Sequence, residues 1–242
     1  MYAIQTVELV KQYGKVTAVD RLHLNIRRGE LFSLLGVNGA GKTTAIKMLS
    51  CLTRPTSGDA LVGSYSITRE PDRVKGLIGV SPQETAVAPN LSVKENLELI
   101  CGIHGFSKEK TAAKIRELSE QFSLDAVLQR KAGKLSGGWQ RRVSIAMALI
   151  SEPRILFLDE PTLGLDVIAR HDLWDVIRSL KGNVTIILTT HYMEEAEALS
   201  DRIGIMKNGR LLADGTVEEL KQTAGTVDFE TAFLSIVKEE TL

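Results

Sequence analysis

One glycine-rich segment combines residue types that bind phosphate groups. From Gly36 to Thr44 the sequence reads GVNGAGKTT, which fits the phosphate-loop pattern G-x-x-x-x-G-K-[ST] at every fixed position. The glycines let the main chain approach a polyphosphate with its N–H groups turned inward. Lys42 is predicted to reach the β- and γ-phosphates, and the Thr43 hydroxyl to bind Mg²⁺. An ordinary glycine-rich turn is disfavoured, because an apolar strand-type run precedes the segment and helix-forming residues follow it.

Two adjacent carboxylates could supply the chemistry next to such a loop. Asp159 and Glu160 directly follow the apolar run Ile155-Leu156-Phe157-Leu158, which is typical of a buried strand. Unpaired carboxylates are costly at a buried position. The pair is therefore predicted to hold Mg²⁺ and to activate a water molecule.

Three single residues are weaker candidates. Gln83 and His191 each follow an apolar or β-branched run, and ligand-binding groups of α/β proteins gather at the carboxyl ends of strands. Tyr13 precedes the phosphate loop and could stack on a nucleotide base. Taken alone, a glutamine is ordinarily a surface residue, a histidine is more often structural, and a tyrosine before a glycine is more often a packing residue.

A second glycine-containing turn lies in the middle of the chain. Ser136, Gly137 and Gly138 open an apolar helix, so their main-chain N–H groups could face an anion. An isolated tripeptide of this kind is more often a plain helix start. Arg141 and Arg142 follow on that helix and are predicted to lie on its solvated face.

The elements that must position these residues alternate between strands and helices. Strand patterns fill residues 1–85, together with the helix that follows the phosphate loop, and they return in residues 155–225. These two parts are predicted to form one α/β core. Residues 86–154 read as helical, with a capping box at Ser92, and are predicted to be an inserted lobe. Residues 226–242 are predicted to be a short helical tail.

The overall composition narrows the class of protein. The 242 residues carry 30 basic and 30 acidic side chains, so the formal net charge is zero and gives no electrostatic reason to expect nucleic acid as a partner. Cys51 and Cys101 are the only cysteines, which predicts no disulfide framework and fits a reducing cytosol. We expect no signal peptide, and no apolar run approaches the length of a membrane span.

In this order the motifs resemble the ATP-binding subunit of ABC transporters over nearly the whole chain. The resemblance implies a RecA-like P-loop NTPase core with an N-terminal antiparallel β portion and an inserted helical lobe. It implies adenine stacking by Tyr13, a Q-loop at Gln83, and a signature motif from Leu135 to Gly138. It makes Asp159 the end of Walker B, and Glu160 and His191 the catalytic base and switch histidine, acting with Lys42. Asp166 becomes the D-loop aspartate. Walker A is implied to contact the nucleotide through Gly36, Asn38, Gly39, Ala40, Gly41, Lys42, Thr43 and Thr44.

The same resemblance implies cofactors and partners. ATP and Mg²⁺ are expected, with the metal held by Thr43, Gln83 and Asp159. Two copies, or this chain and a second ATP-binding subunit, would pair head to tail, so that Ser136, Gly137 and Gly138 complete the opposite site. A separately encoded integral membrane permease would hold the pair at the cytoplasmic face of the membrane. One departure stands out: a glutamine often follows the signature motif, and this chain has Trp139 instead.

Two alternatives to a transport motor remain. Soluble ABC-type ATPases of ribosomes or DNA usually carry two cassettes or long basic or coiled-coil insertions, and none is visible. A P-loop kinase would leave the Leu-Ser-Gly-Gly segment without a task. The tail, with Asp228-Phe229-Glu230 and Ala232-Phe233-Leu234, is similar to the ends of bacterial drug- and polysaccharide-exporter subunits, which points to export.

Overall fold

Aliphatic and β-branched runs build two sheets, and helices fill the connections between their strands. The computed structural model describes residues 1–239. The strands are β1 (Tyr2–Tyr13), β2 (Val16–Leu22), β3 (Asn25–Arg27), β4 (Leu31–Leu35), β5 (Ser57–Val62), β6 (Tyr65–Ser66), β7 (Ile78–Ser81), β8 (Ile155–Asp159), β9 (Thr185–Thr190), β10 (Arg202–Lys207) and β11 (Arg210–Gly215). The α-helices are α1 (Lys42–Leu49), α2 (Pro71–Lys75), α3 (Val93–Ile103), α4 (Lys108–Phe122), α5 (Gly137–Leu149), α6 (Val167–Leu180), α7 (Met193–Leu199), α8 (Val217–Thr223) and α9 (Phe229–Glu239).

The larger sheet is mostly parallel and has the order β11-β10-β4-β9-β8-β7. Every residue of β4, β8 and β9 is buried, which explains their unbroken apolar and β-branched runs. Only β11 runs antiparallel to its neighbour. The carboxyl ends of β4, β7, β8 and β9 consequently meet at one edge of the sheet.

The smaller sheet is antiparallel, with the order β2-β1-β5-β6 and β3 paired to β1. Its inner face and the parallel sheet enclose α1 in one apolar core, to which Ile4, Leu22, Phe32, Ile46 and Phe157 belong. Helix α1 is therefore held on both sides, and the loop that opens it is fixed to the core.

Helices α3, α4 and α5 lie between β7 and β8 in the sequence and share a second apolar core. Ser92 forms the predicted capping box with Glu95, and the Ser107 hydroxyl caps α4 by accepting from the Lys110 amide. Such caps satisfy N–H groups that the helix itself leaves unpaired.

The C-terminal elements pack behind the parallel sheet. The turn at Asn208 and Gly209 joins β10 to β11 as a hairpin, with positive φ angles at both residues. Helix α9 buries Phe229 and Phe233 against a third apolar cluster. The predicted tail ends at residue 242, so its last three residues lie outside the described part of the chain.

One surface prediction is wrong. Arg141 is 4% exposed and lies inside the protein rather than on a solvated face of α5. Arg142 is partly buried, pairs with Asp172 at 3.4 Å, and places its guanidinium 4.9 Å from the centre of the Trp139 ring. Among residues 1–239, none of the helices combines the length and apolar character required to traverse a bilayer.

Candidate active site

The phosphate-loop segment lines the main cavity of the carboxyl-end edge. Gly41 caps α1 with φ at 101°, and a Cβ at this position would lie 2.3 Å from the Ala18 carbonyl oxygen, so only glycine fits. The cavity measures about 530 Å³. Its lining residues are Tyr13, Ala18, Asn38, Gly39, Ala40, Gly41, Lys42, Thr43, Thr44, Gln83, Glu160, Leu163 and His191. Most of the residues predicted to contact nucleotide are thus together in one cleft of nucleotide size.

Lys42 is held under the loop. Its Nζ donates to the main-chain oxygens of Gly36 at 2.7 Å and Val37 at 3.2 Å, and it lies 3.6 Å from Glu160 Oε1. Burial lowers the pKa of Lys42, an effect that the Glu160 carboxylate opposes. The ammonium therefore faces the place where the loop would receive phosphate.

Asp159 anchors the floor of the site. It is 5% exposed and accepts hydrogen bonds from the Thr43 hydroxyl at 3.0 Å and the Thr189 hydroxyl at 2.5 Å. A hydroxyl, a carboxylate and the nearby Gln83 amide form an all-oxygen donor set of the kind that suits Mg²⁺. Within residues 1–239 no three His, Cys, Asp or Glu side chains cluster as a metal site. The donor set therefore fits a metal that completes its coordination with phosphate oxygens and water.

Glu160 lies at the centre of the predicted chemistry. It follows β8 with φ at 47°, an uncommon conformation for a residue with a side chain, held by a hydrogen bond from its amide to the Thr189 main-chain oxygen at 3.1 Å. Gln83 Nε2 donates to Glu160 Oε2 at 3.4 Å. His191 Nδ1 is 3.4 Å from Glu160 Oε1, is buried, and lacks a hydrogen-bond partner among the described residues. Both side chains thus converge on one carboxylate.

Tyr13 also lines the cleft. Its side chain is half exposed, and the Lys11 ammonium lies 4.9 Å from the ring centre. Lys11 is itself fixed by donation to the Arg54 carbonyl oxygen at 2.7 Å. An exposed aromatic face beside a phosphate loop suits a flat base.

Six predicted site residues are not among those that line this cleft. Gly36 and Asp159 accept hydrogen bonds from its lining residues Lys42 and Thr43, and the other four lie at the start of α5 or α6. Ser136 and Gly137 are exposed at the start of α5. Gly138 lies close to α6, because an added Cβ would be 3.2 Å from the Ala169 Cβ. Asp166 caps α6 by accepting from the Ala169 amide at 2.9 Å. A single chain leaves the signature segment beside α6 and apart from its own cleft.

Sequence reasoning missed Thr189 as a site residue. Its hydroxyl donates to Asp159 and accepts from the Glu160 amide at 3.0 Å, so it joins the predicted metal ligand to the predicted catalytic base. Thr189 pairs with Asp159 in the sheet. Its only sequence signal was a polar residue near the end of a β-branched run, which strand propensity alone explains. Ala18 and Leu163 of the cleft gave no signal.

More than half of the chain matches a known protein family. Residues 19–163 match a family model described as ABC transporter. The chain belongs to this family. The match includes the phosphate loop, Gln83, the signature segment and the Asp159–Glu160 pair.

Curated relatives in the ABC transporter family carry names from drug resistance. The doxorubicin resistance ATP-binding protein DrrA of Mycobacterium tuberculosis is 46% identical over 213 residues, covering 88% of this chain and 64% of that protein. A daunorubicin/doxorubicin resistance ATP-binding protein of Streptomyces peucetius is 42% identical, covering 93% and 68%. A probable multidrug ABC transporter ATP-binding protein of Escherichia coli is 37% identical, covering 98% and 42%. The chain thus spans only part of the length of these relatives.

Solved structures of ABC cassettes share the fold. An ATP-binding subunit of an ABC transporter superposes with a TM-score of 0.86 at 27% identity, covering 98% of this chain and all of that one. A dimeric ATP-binding cassette in a post-hydrolysis state, bound to ADP and Pi, gives a TM-score of 0.78 at 27% identity, covering 88% and 98%. The predicted P-loop NTPase fold with an antiparallel β portion and an inserted helical lobe is confirmed.

Proposed function

We propose that this chain binds and hydrolyses ATP as the motor subunit of an ABC transporter that exports drug-like compounds. One observation carries the enzymatic part: Lys42, Gln83 and His191 all lie within 3.6 Å of the Glu160 carboxylate at the phosphate-loop end of the cleft. A base at that place serves hydrolysis. The relatives named for doxorubicin or multidrug transport support the export part.

Different residues of the cleft bind the base, bind the phosphates and activate water. Tyr13 stacks on adenine, while Lys42 and the N–H groups from Gly39 to Thr44 neutralise the β- and γ-phosphates. Glu160 accepts a proton from the water whose oxygen attacks the γ-phosphorus. The bond from that phosphorus to the bridging oxygen breaks, and ADP and inorganic phosphate leave. A positioned general base contributes about 10²–10⁴ in rate.

Two further residues support the base. We infer that His191 holds the γ-phosphate and orients the attacking water. Its position supports this role, because the Nδ1 atom lies 3.4 Å from Glu160 Oε1 and has no hydrogen-bond partner among the described residues. Thr189 fixes the Asp159 side chain and the Glu160 main chain relative to each other, because its hydroxyl is hydrogen-bonded to both. Mg²⁺, when held by Thr43, Gln83 and Asp159, would neutralise charge on the β- and γ-phosphates.

The assembly follows from the position of the signature segment. Ser136, Gly137 and Gly138 lie outside their own cleft, so we infer that they complete the site of a second copy or of a homologous subunit, with Asp166 at the same interface. The dimeric cassette bound to ADP and Pi supports this arrangement. A multi-span permease would hold the pair at the cytoplasmic face of the membrane.

ATP hydrolysis measured against protein concentration tests the half-site model. Specific activity of the purified chain is expected to rise with concentration, because a monomer lacks the donors from a second copy. A rate per chain that stays constant from dilute to concentrated protein would contradict this model. Absence of hydrolysis at every concentration would contradict the enzymatic proposal.

Affinity purification from membranes tests the transport role. Co-purification of a multi-span protein is expected. Recovery of ribosomal or DNA-bound complexes instead would favour the soluble ATPase alternative. The identity of the multi-span protein would also narrow the compounds transported.

A further inference from the structure

A buried arginine joins the signature helix to the Gln83 segment. Arg141 lies one turn into α5 and donates from Nη1 to the Pro82 oxygen and from Nη2 to the Gln83 oxygen, both at 2.6 Å. No carboxylate in the described chain lies within ion-pair distance of this guanidinium. Buried arginines are normally paired with an acid. Two main-chain oxygens after the end of β7 take that place here.

The same face of α5 contacts β7 twice more. The Ser144 hydroxyl is 2.9 Å from the Ser81 hydroxyl. One further turn along, the Ala148 carbonyl oxygen approaches so closely that a Cβ on Gly79 would lie 2.2 Å from it. Positions three and seven residues beyond Arg141 share its helical face. The helix thus lies flat on β7, and Arg141 is the contact that reaches past the strand to Gln83.

The contact between Arg141 and the Gln83 segment connects residues of two different nucleotide sites. Gln83 lines the cleft of its own chain and donates to Glu160 Oε2. Helix α5 begins at Gly137, in the segment proposed to complete the site of the second copy. The guanidinium fork fixes both carbonyls at once, which a single ammonium or a hydroxyl could not do with the same geometry.

Resting on the proposed function, we propose that Arg141 is a positioning residue that fixes the main chain of Gln83 to the signature helix. The position of Gln83 in the cleft of its own chain then sets the position of the Ser136–Gly138 segment, which completes the cleft of the second copy. Burial lowers the pKa of Arg141, and the Asp159 and Glu195 carboxylates oppose this effect. A guanidinium stays protonated in proteins, so Arg141 can donate both hydrogen bonds.

A double-mutant cycle distinguishes this role from plain packing. Arg141→Met keeps the aliphatic stem and removes the donors, and Gln83→Ala removes the side chain that Arg141 is proposed to position. Each change is expected to lower kcat by about tenfold or more, while the affinity for a non-hydrolysable ATP analogue changes less. The combined variant is expected to be no slower than the slower single variant, because both changes act through one element.

The matched control is Ser144→Ala, which removes another side-chain contact between α5 and β7 but none with Gln83. In the variant that combines Ser144→Ala with Gln83→Ala, the fold-loss of kcat is expected to equal the product of the two single fold-losses. If the losses from Arg141→Met and Gln83→Ala also multiply, Arg141 acts through packing alone and the inference is wrong. Should Arg141→Met not fold, Arg141→Lys is used in the same cycle, with the same two outcomes.

Cooperativity supplies an independent readout. If Arg141 links the two sites, the Hill coefficient for ATP in Arg141→Met falls towards one. The inference is overturned if the Hill coefficient is unchanged and the kcat losses of Arg141→Met and Gln83→Ala multiply in the combined variant. Hydrolysis by the wild type would still support the proposed function in that case. Absence of hydrolysis by wild type would instead overturn the proposed function.

Discussion

The Lys42 ammonium lies 3.6 Å from Glu160 Oε1, so the predicted phosphate ligand and the predicted base face each other before any phosphate lies between them. Both side chains are less than a tenth exposed. The carboxylate compensates a charge that burial alone disfavours. A bound γ-phosphate would pair with the Lys42 ammonium instead. The Glu160 carboxylate would then be free to accept a proton from water.

Replacing the base should separate binding from hydrolysis. In Glu160→Gln the amide keeps the shape of the side chain but cannot accept the proton of water, so kcat is expected to fall by about 10²–10⁴. ATP binding survives, and an ATP-bound dimer accumulates on size-exclusion chromatography. The control is Glu194→Gln, an exposed carboxylate paired with Arg170. Near-normal turnover by Glu160→Gln would refute the assignment of the base.

The head-to-tail arrangement predicts an order of activities in mixed dimers. With Ser136→Arg and Glu160→Gln on separate chains, one complete site remains, because both defects fall in the other. With both changes on one chain and a wild-type partner, each site carries one defect. The first dimer is therefore expected to hydrolyse ATP faster, measured on dimers purified through two tags. The reverse order would mean that each signature segment serves its own chain.

Thr189 offers a conservative pair of substitutions. Thr189→Val keeps the shape but removes the hydroxyl that donates to Asp159 and accepts from the Glu160 amide, and its kcat is expected to fall by about tenfold. Thr189→Ser restores the hydroxyl and should recover most of the rate. Near-wild-type turnover in Thr189→Val together with a loss in Thr189→Ser would show that the methyl group, and therefore packing, is what matters at this position.

The buried Glu195 carboxyl is expected to make the free energy of unfolding depend on pH. It is fully buried and accepts from the Trp174 indole at 3.1 Å, and burial raises the pKa of its carboxyl above the ordinary value. The folded state therefore holds the proton more tightly than the unfolded state does, and the associated stability is lost as pH rises towards the folded pKa. The unfolding free energy of wild type minus that of Glu195→Gln should therefore decrease as pH rises above the ordinary glutamate pKa of about 4.3.

Denaturant unfolding at several pH values measures this difference. The control is again Glu194→Gln, whose exposed carboxylate should give a nearly constant difference. A constant difference for Glu195→Gln as well would show that its carboxyl titrates alike in the folded and unfolded states.

The sequence predicted residues with local signals and missed those defined by distant neighbours. The predicted capping box at Ser92 depends on Glu95, three positions away, and it is present. Arg141 looked like a surface residue because its partners, the oxygens of Pro82 and Gln83, lie 59 and 58 positions back in the chain. Nothing in the local pattern of α5 encodes that contact.

The same limit applies to the sheets. The carboxyl-end placement of Asp159, Glu160 and His191 followed from the general behaviour of parallel strands. The pairing of Ile4 with Val62 in the antiparallel sheet depends on contacts across most of the N-terminal part. Such non-local pairs leave no periodic mark in the sequence.

The position of β4 in its sheet has a consequence for the nascent chain. The strand that carries the phosphate loop pairs on one side with β9 and on the other with β10, whose residues are synthesised more than 150 positions later. Until the ribosome has released the chain through residue 190, β4 lacks both neighbours, and until residue 207 it lacks β10. Competence to hold nucleotide therefore arrives late in translation, after the helical lobe has already emerged.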